Sequence, residues 1–159
     1  MNHTAEIYYH SPIGIIEIKA NEKGICGLNF VEKEGNNGSI YQLMDTCMFQ
    51  LDEYFKGTRT TFDLALSPEG TDFQNRVWQE LLKIPYGKTV SYLDIAHSLG
   101  DRNKIRAVGN ANGKNKISII IPCHRVIGSN NALTGYAGGL WRKRWLLDFE
   151  SRTKQGELF

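Results

Sequence analysis

Ile117–Gly128, which reads Ile-Ser-Ile-Ile-Ile-Pro-Cys-His-Arg-Val-Ile-Gly, limits what this chain can be more than any other stretch. A short apolar run rich in β-branched residues predicts a buried strand. Pro122 ends it, because proline has no N–H to offer a sheet or helix ladder. Cys123 and His124 follow at once. A thiol held at the end of a rigid buried element, next to an imidazole, is one way to present a thiolate nucleophile. The competing reading is plainer: a lone Cys is most often a small buried hydrophobe.

With 159 residues, the chain holds one full domain or two small ones. Its 41% apolar content supports a real core. No run reaches membrane-spanning length. The start, Met-Asn-His-Thr-Ala-Glu-Ile, lacks the basic-then-apolar pattern of a secretory signal. Three cysteines, Cys26, Cys47 and Cys123, then point to free thiols in a reducing compartment. The expected location is the cytoplasm with the nucleoid, or the nucleus in a eukaryote.

Charge is divided unevenly. Residues 1–67 carry five Lys/Arg against nine Asp/Glu, whereas residues 68–159 carry fourteen against eight. The basic half also holds Cys123, which points to an anionic partner there, nucleic acid being the commonest.

The predicted fold class is α+β, with a structural domain over residues 1–67 and a mostly helical domain over 68–159. In the first, Ala5–His10, Ile13–Ala20, Gly24–Phe30 and Thr60–Leu66 have strand character. Cys26, Leu28 and Phe30 alternate, which predicts an inward Cys26. Ser39 and Gln42 have capping-box spacing, and apolar residues from Ile40 to Phe55 recur at helical spacing, Cys47 among them, until Gly57. Neither Cys26 nor Cys47 is spaced with His as a metal ligand, so no zinc site is expected.

Pro68 lies in the expected boundary, Ser67–Gly70. Thr71–Gln74 is a second capping box, opening a helix with Phe73, Val77, Trp78 and Leu81 inward. Ser91 caps a short helix that Gly100 stops. Another runs from about Lys104 to Asn112, with Ile105, Val108 and Ala111 inward and Lys104, Arg106, Asn110 and Asn112 outward. Two short helices joined by a Gly-containing turn make a helix-turn-helix candidate, in which the small Ala107 and Gly109 permit close approach to DNA. Thr134–Gly139 is a glycine-rich loop with one aromatic, Tyr136, suited to wrap a flat ligand. A last helix, about Leu140–Glu150, has Leu140, Trp141, Trp145, Leu146 and Phe149 to bury, and Ser151–Phe159 reads as a loose tail.

Taken together, these motifs resemble the O6-alkylguanine-DNA alkyltransferases. The resemblance covers about residues 71–150 and includes Phe73-Gln74, Val77-Trp78, Ile84–Gly87, Ser91-Tyr92, Arg106–Gly109, Asn115, Ile121–Val126, Gly135–Leu140, Trp145–Leu147 and Glu150. The N-terminal half fits the family's small ribonuclease H-like domain only loosely. The chain departs from the family at Lys104-Ile105, where relatives often have small residues, and at Phe149, where many have His.

The resemblance implies a suicide protein that binds double-stranded DNA through the minor groove and rotates an O6-alkylguanine out of the stack. It moves the alkyl group irreversibly to its own cysteine, with O4-alkylthymine as a second substrate. It implies Cys123 as acceptor, His124 as base through a water, Glu150 as the group that orients His124, Asn115 as a brace and Tyr92 as proton donor to the leaving guanine. Arg106, Tyr92, Ala107, Gly109, Asn110 and Arg125 are the implied DNA contacts, Arg106 filling the gap that the base leaves. Tyr136, Ala137, Gly138 and Val126 are the implied pocket. No cofactor and no metal are called for, and a monomer is expected. The alternatives are a non-catalytic alkyltransferase-like lesion sensor, disfavoured by the retained Cys123, and a turnover thiol hydrolase using Cys123 and His124.

Overall fold

Alternating apolar and polar residues near the N-terminus produce a three-stranded antiparallel meander, β1 (Ala5–Ser11), β2 (Gly14–Asn21) and β3 (Gly24–Val31), in that order. The computed structural model describes residues 4–38 and 41–154. The chain divides into two compact units, Met1–Glu69 and Gly70–Phe159.

In the first unit Ile7, Ile16, Ile18, Ile25 and Leu28 bury one face of the sheet. Helix α1 (Gln42–Phe55) covers it with Met44, Cys47, Leu51 and Tyr54, all fully buried. Tyr41 stands at the N-cap position; the expected capping box includes Ser39 and Ile40, which lie outside the described residues. Gly57 follows the helix at φ 79°, a conformation that disfavours any residue with a Cβ.

Two expectations for this unit fail. Cys26 is half-buried, because Ala20 pairs with Ile25 while Lys19 pairs with Gly27. The extra residue on β3 is a bulge that breaks the alternation, so Ile25 and Leu28 point inward instead. Thr60–Leu66 is no strand beyond one bridge between Leu66 and Ile25. The buried Gln50 side chain takes up the main chain of Asp63, accepting from its N–H (2.9 Å) and donating to its carbonyl (3.1 Å). A segment whose polar groups are satisfied by a side chain does not need a ladder.

The second unit starts at a complete capping box. Thr71 Oγ1 accepts from Gln74 N–H (3.1 Å), and Gln74 Oε1 accepts from Thr71 N–H (2.9 Å). Helix α2 (Asp72–Leu81) buries Val77, Trp78 and Leu81. Strand β4 (Val90–Ser91) leads into α3 (Tyr92–Ser98) through a second box, Ser91 with Asp94. Gly100 at φ 87° and a 3₁₀ turn, Arg102–Lys104, lead into α4 (Ile105–Gly113). The Trp78 indole donates to Ala111 O at 2.9 Å, fixing α2 to the end of α4. A short parallel pairing joins β4 to β5 (Val126–Ile127), and α5 (Leu140–Lys154) closes the unit.

Helix α5 does not present the face that its apolar residues suggest. Leu140 and Trp141 are exposed (48% and 57%), whereas Lys143, Leu146, Phe149 and Glu150 are buried. Residues three and four apart share a face, and that face carries two charged side chains into the interior. The helix also continues past Glu150 through Lys154, where a tail was expected to begin; residues 155–159 lie outside the described residues. Among the described residues no helix is long and apolar enough to cross a membrane.

Candidate active site

The buried segment ahead of Cys123 is not the strand that its composition predicts. Ile117–Ile121 forms tight turns: Ile120 N–H bonds to Ser118 O (2.8 Å), Ile121 N–H to Ile117 O (3.0 Å) and Cys123 N–H to Ile121 O (2.7 Å). Ile119 adopts φ 70°, a left-handed conformation costly for a β-branched residue. Asn115 over-determines the turn. Its Oδ1 accepts from Ile117 N–H (3.0 Å), while Nδ2 donates to Ile121 O (2.8 Å) and, at longer range, to Ile117 O (3.4 Å). The apolar side chains supply burial, but an asparagine has taken the polar groups that a neighbouring strand would have paired.

Asn115 lies just beyond α4, so the turn carrying the thiol is anchored at the end of that helix. Asn112, expected on the outer face, is buried and donates to Cys123 O at 3.4 Å. Cys123, His124 and Arg125 form one 3₁₀ turn, all three buried. Burial pushes the Cys123 thiol up; a hydrogen bond with Asn115 and the nearby positive charge of Lys143 act against that.

His124 is fully buried, with Nε2 2.8 Å from Glu150 Oε2. Its other nitrogen, Nδ1, has no hydrogen-bond partner among the described residues. Burial alone would raise the Glu150 carboxyl. His124, followed by Arg125, more than reverses this and holds it well below the ordinary carboxylate range.

Arg125 is the main departure among the implied site residues. It does not face outward toward DNA: its Nε donates to Glu150 Oε1 (2.8 Å), Nη2 to Glu150 Oε2 (3.0 Å) and Nη1 to Ile84 O (2.8 Å). A buried carboxylate needs a full counter-charge, and a planar guanidinium meets both oxygens at once. Arg125 therefore belongs to the internal charge cluster with His124 and Glu150.

Lys143 was not anticipated from the sequence. It has no exposed surface, and its Nζ donates to Val126 O (2.7 Å) and Thr134 O (2.6 Å). Burial lowers its pKa to about 8, while the Cys123 sulfur acts the other way. One side chain thus ties the segment after the thiol to the start of the glycine-rich loop, and its charge acts on the sulfur. The available signal was its register: Lys143 falls on the face of α5 that also carries Leu146 and Glu150.

The remaining residues fall into two groups. Val126 is buried beside the 3₁₀ turn. Tyr136 has a buried hydroxyl, raised well above its ordinary pKa by burial and then by the Cys123 sulfur. Ala137 is exposed and Gly138 half-exposed in the same loop. Tyr92, half-buried at the start of α3, accepts from Thr134 Oγ1 at 2.8 Å through its hydroxyl. Arg106, Ala107 and Asn110 are exposed on α4, with Gly109 half-exposed against the Tyr92 ring. Ile105, expected inward, is 41% exposed. From Arg102 to Leu147 the chain has no Asp or Glu at all, so α4 and the segment that carries the thiol have only basic and neutral side chains of their own.

Two family models match. Residues 5–68 match the 6-O-methylguanine DNA methyltransferase ribonuclease-like domain, and residues 72–152 match the DNA binding domain of the same family. The chain belongs to the 6-O-methylguanine DNA methyltransferase family. A methylated-DNA–protein-cysteine methyltransferase of Methanosarcina barkeri is 48% identical over 153 residues, 91% of this chain and 97% of its own length. The crystal structure of the Mycobacterium tuberculosis O6-methylguanine methyltransferase superposes with a TM-score of 0.86 at 41% identity, covering 95% of this chain and 94% of that one. Another structure of the Mycobacterium tuberculosis protein, in complex with DNA, gives a TM-score of 0.84 at 43% identity, with 95% and 94% covered. The α+β class and the DNA-binding character of the second unit follow from that membership. The ribonuclease-like match also covers the half that sequence motifs placed only loosely.

Proposed function

We propose that the chain repairs double-stranded DNA by direct reversal, taking the alkyl group from O6 of an extruded guanine onto Cys123 Sγ. The observation that carries this reading is the buried turn Cys123–Arg125, with His124 bonded to Glu150, in a chain of this family. The thiol proton leaves through one water to His124 Nδ1, the buried ring nitrogen that still needs a partner. Glu150 fixes the ring through Nε2 and opposes the charge that His124 gains. The thiolate then attacks the alkyl carbon; the new S–C bond forms as the C–O6 bond breaks.

The electron pair of that bond passes to guanine, a poor leaving group unless its ring receives a proton or a hydrogen bond. Tyr92 suits this role, because its oxygen accepts from Thr134 and its own O–H remains to donate. Tyr136, Val126, Ala137 and Gly138 line the space for the base. Arg106, with Ala107, Gly109 and Asn110 on the same helix, holds the duplex through the minor groove and fills the gap. Extrusion costs a few kcal/mol, roughly, and least for a poorly paired lesion, which favours alkylated guanine over normal guanine. The thioether has no hydrolysable bond, so each molecule reacts once. The protein acts as a monomer in the cytoplasm, on chromosomal DNA.

Incubation with an equimolar O6-methylguanine duplex tests the reading. One methyl group per chain, mapped to Cys123 and absent in Cys123→Ala, supports it; catalytic turnover, or full repair by Cys123→Ala, overturns it.

A further inference from the structure

Ile105 is an exposed apolar residue on α4, the helix given the DNA-facing role, and that role leaves it without a purpose. Helical spacing assigns it to the interior with Val108 and Ala111, which are buried, yet it is 41% exposed. It opens α4 directly after the 3₁₀ turn Arg102–Lys104.

Its neighbours are occupied elsewhere. The Lys104 ammonium sits 5.2 Å from the centre of the Phe73 ring, and the Asp101 carboxylate accepts from Asn103 N–H at 2.9 Å. Ile105 borders a surface hollow of about 610 Å³ that Leu93, Gly100, Asp101, Arg102 and Asn103 also line. It forms an apolar lip there, directly before Arg106. A stiff β-branched side chain loses little rotamer freedom on contact. Proteins that enter the minor groove often press such a side chain between base steps and partly unstack them.

We propose that Ile105 is an apolar wedge for duplex DNA, contacting the minor groove beside the lesion and loosening the base step while Arg106 takes the vacated space. This rests on the DNA-facing role given to α4 under Proposed function. Arg106 supplies charge and hydrogen bonds once the base has left; Ile105 acts earlier, by making the stack easier to open.

The test is single-turnover repair by the full chain, comparing wild type with Ile105→Ala, Ile105→Asn and Ile105→Val. One substrate is an O6-methylguanine duplex with 2-aminopurine next to the lesion; the other is free O6-benzylguanine, which needs no extrusion. The ratio of duplex rate to free-base rate should fall about tenfold in Ile105→Ala and Ile105→Asn, the scale of losing one buried aliphatic contact. The 2-aminopurine emission that reports unstacking should fall with it, and Ile105→Val should restore both. An unchanged ratio and unchanged emission in Ile105→Ala and Ile105→Asn overturns the wedge while the repair reading stands. A wild-type protein inert on both substrates overturns the repair reading itself. Equal losses on both substrates also overturn the wedge, because they place the effect at the thiol.

Discussion

Replacing Lys143 by Met keeps the length of the side chain and removes its charge, which separates two roles that the structure combines. Two charge-assisted hydrogen bonds, to Val126 O and Thr134 O, contribute about 3–6 kcal/mol in total. Opposing them, burial lowers the Lys143 pKa from 10.5 to about 8, a cost of about 3 kcal/mol at about 1.4 kcal/mol per unit. The net loss on Lys143→Met is then about 0–3 kcal/mol, small enough to leave a folded protein. Reactivity should suffer more than stability. The Cys123 thiol is already raised by burial, and Lys143 is one of the influences that lower it. Losing that charge pushes the thiol further up and lowers its thiolate fraction at neutral pH. Single-turnover methyl transfer from a duplex, measured from pH 6 to 9 beside thermal unfolding, reads both effects, with roughly these limits set by thiol chemistry. The expected result is a lower rate at neutral pH that recovers toward the wild-type rate as pH rises, with a modest fall in Tm. A folded variant with the wild-type rate would refute the assignment of that charge to the thiolate.

Three other outcomes are expected, two at the same cluster and one on α4. Arg125→Met leaves Glu150 buried with only His124 beside it, so denaturant unfolding should show a loss of about 3–5 kcal/mol; a near-neutral result would mean that Glu150 is protonated or resolvated. The folded carboxyl of Glu150 lies below its ordinary 4.5, so its contribution is complete above that pH and is lost as pH falls toward the depressed value. Unfolding scans below pH 4.5 should therefore show an acid-side decline that Glu150→Gln flattens. Arg106→Ala should slow repair in duplex DNA more than reaction with free O6-benzylguanine; equal losses would remove Arg106 from base extrusion.

What the sequence revealed follows from how locally each feature is specified. The capping box at Thr71 and the cap at Ser91 form as predicted, since a cap needs only residues three apart. The meander β1–β3 follows its alternation until the bulge at Cys26, which depends on the register with β2. Ile117–Ile121 misleads because β-branched composition reports burial, whereas strand formation requires a partner and Asn115 supplies a different one. Arg125 and Lys143 were illegible for a related reason. A cation beside a thiol motif in a basic half suggests phosphate contact, and only the fold shows a buried carboxylate and two carbonyls that need them more. Leu140 and Trp141 gave the complementary error: hydrophobicity predicted burial for the face of α5 that in fact lies outward. The resemblance does pair His124 with Glu150, and the structure brings these two together at 2.8 Å on the turn that carries Cys123.

The central question is whether a single sulfur, held behind Asn115 and backed by the His124–Glu150 pair, accepts the group lost by the DNA. Intact-mass and peptide analysis after reaction with one equivalent of O6-methylguanine duplex answers it. The prediction is one added methyl on Cys123, matched by one restored guanine, with no second round when fresh substrate is supplied. Restored guanine with an unmodified Cys123, or methyl on Cys26 or Cys47 instead, would contradict it.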